Sequence, residues 1–514
     1  MYKEKGRTIN SILNIFTTSF GSIVSLITAF VTRVVFLHFL NATYLGVSGL
    51  FSNILLIFSL VELGFGAALT QMFYKPFAEK DYRHLSQVTR TAKTILNLIG
   101  IIIIVLTLVF TPMLNLFVND INAVPHMRLI FFLYGLSSAI TYFLGYYRTI
   151  ITANQQAYRL VKIDVGWKIV TTVSLTVVLA VFRNFILYLV AQIVLNFLQN
   201  VLVKRYVKKA IPEIDYNCKE FVPKKELKEL RKNVMGLSMN RLATVVTNGT
   251  DNIIISKCLD LLTVGLASNY VMIQQYVISL IEPFFGPLLA SIGNMCVSES
   301  DETKYDFFKK LYFAAFWLYG FCSITTYVLA SPFIGFVFGN DYLIPSAAVL
   351  WLSVYIFMLG MYRVASIFRT AEGLFWHGKL RPLIQALLNL VISLILVTIT
   401  GELWAVYAGT VFSVILITIW YEPYVVLKHG LHQGYAEFYK KLLYYVFCYV
   451  LCFILVDMIS SNIKSTGLLL IIELAVLCII VINVCFILLT FRMKEFRYWL
   501  AFVRNILKKI KKTH

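Results

Sequence analysis

Long, uninterrupted apolar runs constrain this chain more than any other feature of its sequence. A helix of about 20 mostly apolar residues crosses the core of a lipid bilayer. Continuous runs of this kind exclude a porin-like barrel, whose strands are short and alternate between apolar and polar residues. The sequence therefore predicts an all-α polytopic membrane protein with fourteen transmembrane helices, at residues 11–36, 45–72, 93–113, 127–147, 163–182, 184–203, 234–256, 262–290, 309–329, 345–365, 383–400, 402–421, 442–459 and 466–490.

The composition excludes the main soluble classes of protein. Of the 514 residues, 59% are hydrophobic and only 14% are charged, and the mean hydropathy is +0.77. A soluble domain carries about 25% charged residues, and it needs a polar surface that this chain cannot supply. A soluble enzyme, a coiled coil and a disordered chain are therefore excluded. The eight cysteines show no metal-binding or redox spacing, so we predict neither a metal site nor a disulfide framework.

The basic residues predict how the chain crosses the membrane. The formal net charge is +20, which we interpret as the positive charge of cytoplasmic loops rather than as a nucleic-acid surface. With the N-terminus in the cytoplasm, 39 of the 46 lysines and arginines fall in cytoplasmic segments. The outer loops then hold only four, at Arg128, Arg183, Lys257 and Lys464. We expect both termini in the cytoplasm, with the first apolar run retained as a span rather than cleaved as a signal peptide.

Two basic segments lie outside the spans. Residues 204–233 form a charged cytoplasmic linker with two prolines, in which 224–232 could be a short helix on anionic headgroups. Residues 492–514 form a basic tail with interspersed apolar residues. This pattern is typical of an amphipathic helix on the inner leaflet, but a solvated tail fits it equally well.

An internal repeat divides the chain. Residues 59–66 read SLVELGFG and residues 279–286 read SLIEPFFG, with five identities; LGYYR at 144–148 is matched by LGMYR at 359–363. An even number of spans separates the copies, so both insert in the same direction as a parallel repeat. We expect two six-helix bundles that enclose a central cavity, as in transporters. The predicted domains are the first bundle (1–203), the linker (204–233), the second bundle (234–425), two additional transmembrane helices (426–491) and the basic tail (492–514).

Motifs in the first half point to a known superfamily. They are YLGVSGLFSN at 44–53, SLVELGFG at 59–66 and YKPFAEKD at 74–81. The chain resembles the multidrug/oligosaccharidyl-lipid/polysaccharide (MOP) transporter superfamily, and within it the Wzx-type polysaccharide-unit flippases of Gram-positive bacteria. The number of spans and the two extra C-terminal helices also fit that resemblance, which covers nearly the whole chain.

The resemblance implies a function. It implies that the protein moves polyprenyl-pyrophosphate-linked oligosaccharide from the inner to the outer leaflet of the bacterial cytoplasmic membrane, by alternating access, for capsule or exopolysaccharide assembly. The implied partners are this lipid-linked oligosaccharide, membrane lipids, and the polymerase and glycosyltransferases of the same pathway; nucleic acid is not among them.

Five cations are candidates for binding the anionic headgroup. A charge inside a span costs a few kcal/mol and usually faces a cavity or a partner, and an arginine suits phosphate oxygens. Arg33, Lys168 and Arg241 lie inside predicted spans, although each could instead extend its charge to the membrane surface. Arg148 and Arg363 end spans four and ten and could guide the headgroup into the cavity, or serve only as cytoplasmic anchors.

Three carboxylates are candidates for ion coupling. Glu62 and Glu282 are repeat-related and lie inside predicted spans two and eight, and Asp251 lies in span seven. A carboxylate at such depth can bind a proton or Na⁺. The alternative is a structural role, in which each glutamate braces a neighbouring helix where Gly64, Gly66 or Gly286 allows close approach.

Enzyme signatures do not occur in the sequence. There is no P-loop motif and no HExxH, so we predict no catalytic residues, no metal and no cofactor other than a coupling H⁺ or Na⁺. Three alternatives stay open. A lipid II flippase differs only in its headgroup, a drug/cation antiporter is disfavoured by the cations, and a membrane polysaccharide polymerase or glycosyltransferase would need a large outer loop or a nucleotide-sugar domain.

Overall fold

The computed structural model describes residues 24–62, 64–154, 157–231, 234, 242, 245, 249–285, 288–374, 376–378 and 380–513. Within these ranges the chain is helical and contains no strand. Eleven described helices are long and apolar enough to cross a membrane, or twelve if one pair bent by 42° counts as a span. The predicted all-α polytopic fold is therefore confirmed. Most of span seven and the start of span one fall outside the described residues, so the count of fourteen stays a prediction.

The helices pack into two compact units, residues 1–265 and 266–514. Each unit is described by itself below, and the predicted domain boundaries stay a prediction. The first unit contains ten helices in the described residues: α1 (Val24–Phe39), α2 (Ala42–Phe58), α3 (Phe65–Glu79), α4 (Tyr82–Phe110), α5 (Met127–Phe143), α6 (Tyr146–Ala153), α7 (Ala157–Phe182), α8 (Phe185–Ala210), α9 (224–231) and α10 (Asp251–Cys258). Helix α11 (Leu261–Phe285) begins in this unit and continues into the next.

The second unit continues with eight helices in the part of the chain that is described. They are α12 (Leu288–Ser298), α13 (Asp301–Phe338), α14 (Ser346–Ala371), α15 (Arg381–Thr400), α16 (Leu403–Gly430), α17 (Ala436–Ser460), α18 (Gly467–Thr490) and α19 (Lys494–Thr513). Helix α16 contains π-helical turns at Val414–Thr418 and Val426–Gly430, and α18 contains one at Cys478–Ile482.

Large apolar side chains cover the outside of these helices. Ile399, Phe284 and Leu488 are 76%, 67% and 66% exposed. Such side chains are stable on a surface only when the surrounding solvent is lipid. Inside the second unit, stacked rings such as Phe357 and Tyr449 (centroids 3.9 Å apart) fill the core.

A pair of glycines brings two helix backbones into contact in the first unit. A Cβ on Gly46 of α2 would lie 1.8 Å from the carbonyl oxygen of Leu261, and one on Gly265 would lie 2.0 Å from that of Ala42. No other residue type fits here, which is the usual way for membrane helices to pack closely.

Two predicted spans have limits in the structure that bear on the candidate residues. Span two was expected to run over 45–72, but α2 passes into a 3₁₀ turn at Ser59–Glu62 and the chain breaks at Gly64, whose φ of 87° ends the helix. Span twelve runs on to Gly430 rather than 421, because the helix continues through Pro423 and includes two π turns. Residues 286 and 287, in the last part of predicted span eight, lie outside the described residues.

The linker packs along the start of α4, which the predicted topology places on the cytoplasmic side. We call residues 211–231 the strap. The Asp215 backbone N–H donates to Ser86 Oγ (2.9 Å), and that of Val222 donates to Thr91 Oγ1 (3.3 Å). The segment 224–231 is helical, as predicted, and lines a cavity of about 490 Å³ together with α3 and the start of α4.

Candidate functional site

In the first unit, Arg148 is held in a bidentate ion pair. The chain bends between α5 and α6, where Gly145 allows close approach to the carbonyl oxygen of Thr141. Just beyond the bend, Arg148 Nη2 and Nη1 contact Asp164 Oδ1 and Oδ2 of α7 at 2.7 and 2.9 Å. Gln199 of α8 also donates to Asp164, at 2.8 Å. This geometry orients the guanidinium and ties three helices together.

Glu62 lies at the helix break rather than deep inside span two. It ends the 3₁₀ turn, and its Oε2 accepts a hydrogen bond of 3.1 Å from the Tyr142 hydroxyl of α5. A Cβ on Gly66 would lie 2.8 Å from Glu62 Oε1, so the absence of a side chain there makes room for the carboxylate. Glu62 thus bridges the break and α5.

Arg33 lies half-buried on α1 beside two tyrosines. It interacts electrostatically with the hydroxyls of Tyr134 of α5 and Tyr188 of α8, and Tyr134 itself donates to Ser48 Oγ at 2.7 Å. A guanidinium and phenolic hydroxyls can all donate hydrogen bonds to an anionic oxygen, such as that of a phosphate.

The other two span cations have different placements. Lys168 is exposed on α7, one turn before Thr172, and Thr172 contacts Thr32 of α1 at 3.4 Å. Because Thr32 precedes Arg33, the structure places Arg33 and Lys168 on adjoining helices. Arg241 lies outside the described residues.

Asp251 begins α10 and is the buried carboxylate of the first unit. In the described part of the chain its Oδ1 is inaccessible to solvent and has no hydrogen-bond partner. A buried carboxylate oxygen without a donor is costly, and it is what a site for a proton or small cation would require.

In the second unit, Arg363 and Glu282 form an ion pair. Arg363 of α14 contacts Glu282 of α11 through its Nη2. The structure therefore brings together a candidate for binding the headgroup, Arg363, and a candidate for ion coupling, Glu282.

A second ionic cluster in this unit was missed by the sequence analysis. Glu422 of α16 is fully buried, and its two carboxylate oxygens lie 2.8 Å from Arg369 Nε and 2.9 Å from Arg381 Nε. Arg381 also donates to Thr418 and Gln385, at 2.9 and 3.2 Å. Both arginines fell in the loop predicted between spans ten and eleven, and Glu422 fell just beyond the predicted end of span twelve. The apolar residues at 424–427, just after Glu422, were the one sign in the sequence that the helix continues past this acid.

Comparisons with known proteins were made for the whole chain. A family model described as "Polysaccharide biosynthesis protein" matches residues 35–347. No curated protein matches the chain significantly.

Solved structures match the fold over most of the chain. An inward-facing MATE-family multidrug resistance transporter of the MOP superfamily covers 78% of this chain and 94% of its own, with 14% identity and a TM-score of 0.65. The lipid II flippase MurJ, in an inward closed conformation, covers 93% and 98%, with 16% identity and a TM-score of 0.63. A Vibrio cholerae MATE transporter variant covers 83% and 100%, with 15% identity and a TM-score of 0.52. These likenesses show that the chain shares the fold of these proteins, and its long apolar helices indicate a multi-pass membrane protein.

Proposed function

Since the chain belongs to the polysaccharide biosynthesis protein family, we propose that it is a flippase for polyprenyl-pyrophosphate-linked oligosaccharide. Cargo of this kind would move from the inner to the outer leaflet of the bacterial cytoplasmic membrane to supply capsule or exopolysaccharide assembly. The observation that carries the proposal is the family match over 35–347, together with a MOP transporter fold.

The charges inside the helices support an anionic headgroup. Arg33 is half-buried and interacts electrostatically with two tyrosines, and Lys168 is accessible on an adjoining helix. A pyrophosphate leaving water needs such cationic donors, since their attraction offsets part of its desolvation cost. An organic cation would be repelled by them, so a drug/cation antiporter fits less well.

The carboxylates divide between two roles in this proposal. Glu62 and Glu282 hold other helices, through Tyr142 and Arg363. Asp251 is the carboxylate that we propose for H⁺ or Na⁺ coupling, because its buried oxygen has no donor in the described residues. Arg148 acts through its ion pair with Asp164 of α7, the helix that carries Lys168, and Arg363 joins α14 to α11 through its ion pair with Glu282.

The proposal is tested with the purified full chain in liposomes. Fluorescent polyprenyl-pyrophosphate oligosaccharide is added, and its arrival in the opposite leaflet is measured by an impermeant quencher. We expect transfer above that of protein-free vesicles, a loss of about tenfold or more in Arg33→Ala, and partial retention in Arg33→Lys. Arg128→Ala removes an exposed cation of a predicted outer loop and serves as the matched control.

The same vesicles distinguish the alternatives. Transfer of lipid II in preference to the oligosaccharide lipid would indicate a lipid II flippase, and uptake of an organic cation against a proton gradient would indicate an antiporter. An absence of transfer for every lipid-linked pyrophosphate, in protein that remains folded, would contradict the proposal.

A further inference from the structure

The C-terminal helix α19 is fixed to the second unit by one of its faces. Glu495 is buried, and its Oε1 lies 2.7 Å from Lys441 Nζ of α17. The Trp499 indole N–H donates to the carbonyl oxygen of Lys310 in α13 at 2.9 Å, and the Phe496 ring stacks on Trp317 with centroids 6.0 Å apart. The start of α19 is thus a docked part of the fold.

The opposite face of α19 is cationic. Among the described side chains of this segment, four cations are exposed to solvent: Arg492, Lys494, Arg497 and Arg504. The only acidic residue in 491–514 is Glu495, and its charge is already paired inside the protein. Residues 491–514 therefore supply no carboxylate to balance these exposed cations, and the nearby acids Asp306 and Glu437 lie against Lys310 and Lys441. The sequence that follows adds further lysines up to Lys512.

Large apolar side chains lie among these cations. Tyr498, Leu500 and Phe502 are 36%, 40% and 44% exposed, and the Tyr498 ring lies 4.1 Å from Lys310 Nζ. Aromatic and aliphatic groups mixed with arginine are the chemistry of a lipid headgroup boundary, where the rings enter the acyl layer and the cations contact phosphates.

The docking contacts place this surface at the level of that boundary. Lys310 and Lys441 mark the points where α13 and α17 pass from charged to apolar sequence, since the apolar runs begin at 309 and 442. A helix held at these two residues lies where the polar and hydrocarbon regions of a bilayer meet.

We propose that α19 is a binding surface for anionic phospholipid, which it recognises through Arg492, Arg497 and Arg504 and through the apolar side chains between them. Charge complementarity selects this occupant, because the uncompensated cations match an anionic leaflet. The inference does not depend on the transported cargo.

The experiment measures the melting temperature of the full chain in nanodiscs of phosphatidylcholine, with and without phosphatidylglycerol. We expect phosphatidylglycerol to raise the melting temperature of the wild type. The triple variant Arg492→Gln/Arg497→Gln/Arg504→Gln should lose more than about half of this shift, because each cation near an anionic surface contributes to binding. Added salt should reduce the wild-type shift, since exposed charges are screened.

A matched variant makes the test specific. Arg128→Gln/Arg183→Gln/Lys464→Gln removes the same charge from exposed positions of the predicted outer loops, and it should keep most of the shift. Phe502→Ser, at an exposed position of α19, should lower the shift without changing the charge. Equal loss in the two triple variants, an unchanged shift in the α19 variant, or no wild-type shift would overturn the proposal. The last result would identify α19 as a solvated helix or a protein-binding one.

Discussion

Each unit contains one copy of the motif Leu-Gly-x-Tyr-Arg, but the arginine of the motif has a different ion-pair partner in each unit. The two arginines are Arg148 and Arg363. In the first unit Arg148 pairs with Asp164 of the following helix, whereas in the second unit Arg363 pairs with Glu282, the counterpart of Glu62. The repeat therefore conserves the positions of charges but not their partners.

Two positions at which the copies of the repeat differ are consistent with the different partners of the two arginines. The counterpart of Asp164 at the offset of the motif is Lys379, which cannot pair with an arginine. The counterpart of Tyr142 is Phe357, which has no hydroxyl to donate to a glutamate and instead stacks on Tyr449. In the second unit Arg363 and Glu282 each lack the partner that the first unit supplies, and they pair with each other.

The units also differ in how deeply their charges are buried. The side chains of Arg148 and Asp164 are 35% and 38% exposed, whereas that of Glu422 is 1% exposed and lies between two arginines. Breaking a buried pair leaves an uncompensated charge, which costs far more than breaking an exposed one. We therefore expect a larger loss of stability from a change at Glu422 than from a change at Asp164.

The largest effect is expected from Glu422→Gln. This change leaves Arg369 and Arg381 buried without their acid, so we expect a loss of about 3–5 kcal/mol in the free energy of unfolding, seen as a lower melting temperature and yield in detergent. Asp164→Asn in the first unit is the control and should cost about 1 kcal/mol or less. Equal losses in the two variants would contradict the difference in burial.

A smaller effect is expected from Tyr142→Phe, which gives the first unit the residue type of the second. Loss of the hydroxyl bond to Glu62 should cost about 1 kcal/mol of unfolding free energy. In a Glu62→Gln background the same change should cost less, and in an Arg148→Ala background the cost should be unchanged. A strong coupling between Tyr142 and Arg148 would show that the first unit pairs its charges as the second unit does.

The sequence predicted the helical fold and the repeat because both depend on local hydrophobic patterns and short motifs. It also singled out Arg148 and Glu62 with their repeat counterparts Arg363 and Glu282, whose roles in transport stay a prediction. It did not predict the partners, since Asp164 and Gln199 reach Arg148 only through tertiary packing. It ended span twelve before Glu422 because a charge followed by proline usually marks a loop, and a π turn within a helix leaves no comparable signal.

A third contrast concerns the residue pair His84 and Lys304, which the repeat aligns at the start of α4 and α13. Lys304 contacts Asp301 and Glu372 at 2.7 and 3.3 Å, and its charge is permanent. His84 contacts Glu226 of α9 at 3.1 Å, and it carries a charge only when protonated. His84 and Glu226 line the cavity of about 490 Å³ between α3, the start of α4 and α9, and the other ionisable residues that line it are Lys75, Glu79, Asp81 and Glu229.

From this contrast we expect the contact between His84 and Glu226 to hold the strap against the start of α4. Hydrogen–deuterium exchange of residues 211–231 should be slow in the wild type and in His84→Lys, which supplies the lysine of the second unit. It should be a few fold faster in His84→Ala and in Glu226→Gln, because either change removes one side of the contact. Equal exchange in the wild type and in Glu226→Gln would exclude this role for His84.

The smallest effect is expected at the other end of the strap and depends on pH. Hydrogen bonds from Gln87 and Arg83 lower the pKa of Glu220 below that of an ordinary glutamate. A carboxyl whose pKa is lowered by folding stabilises the folded state above its unfolded pKa, and the contribution is lost as the pH falls through the folded value. Protection of the strap from exchange should therefore weaken as the pH falls below the ordinary pKa of a glutamate. Glu220→Gln should remove this loss of protection on the acid side; a loss of the same size in Glu220→Gln would show that another acidic group controls the strap.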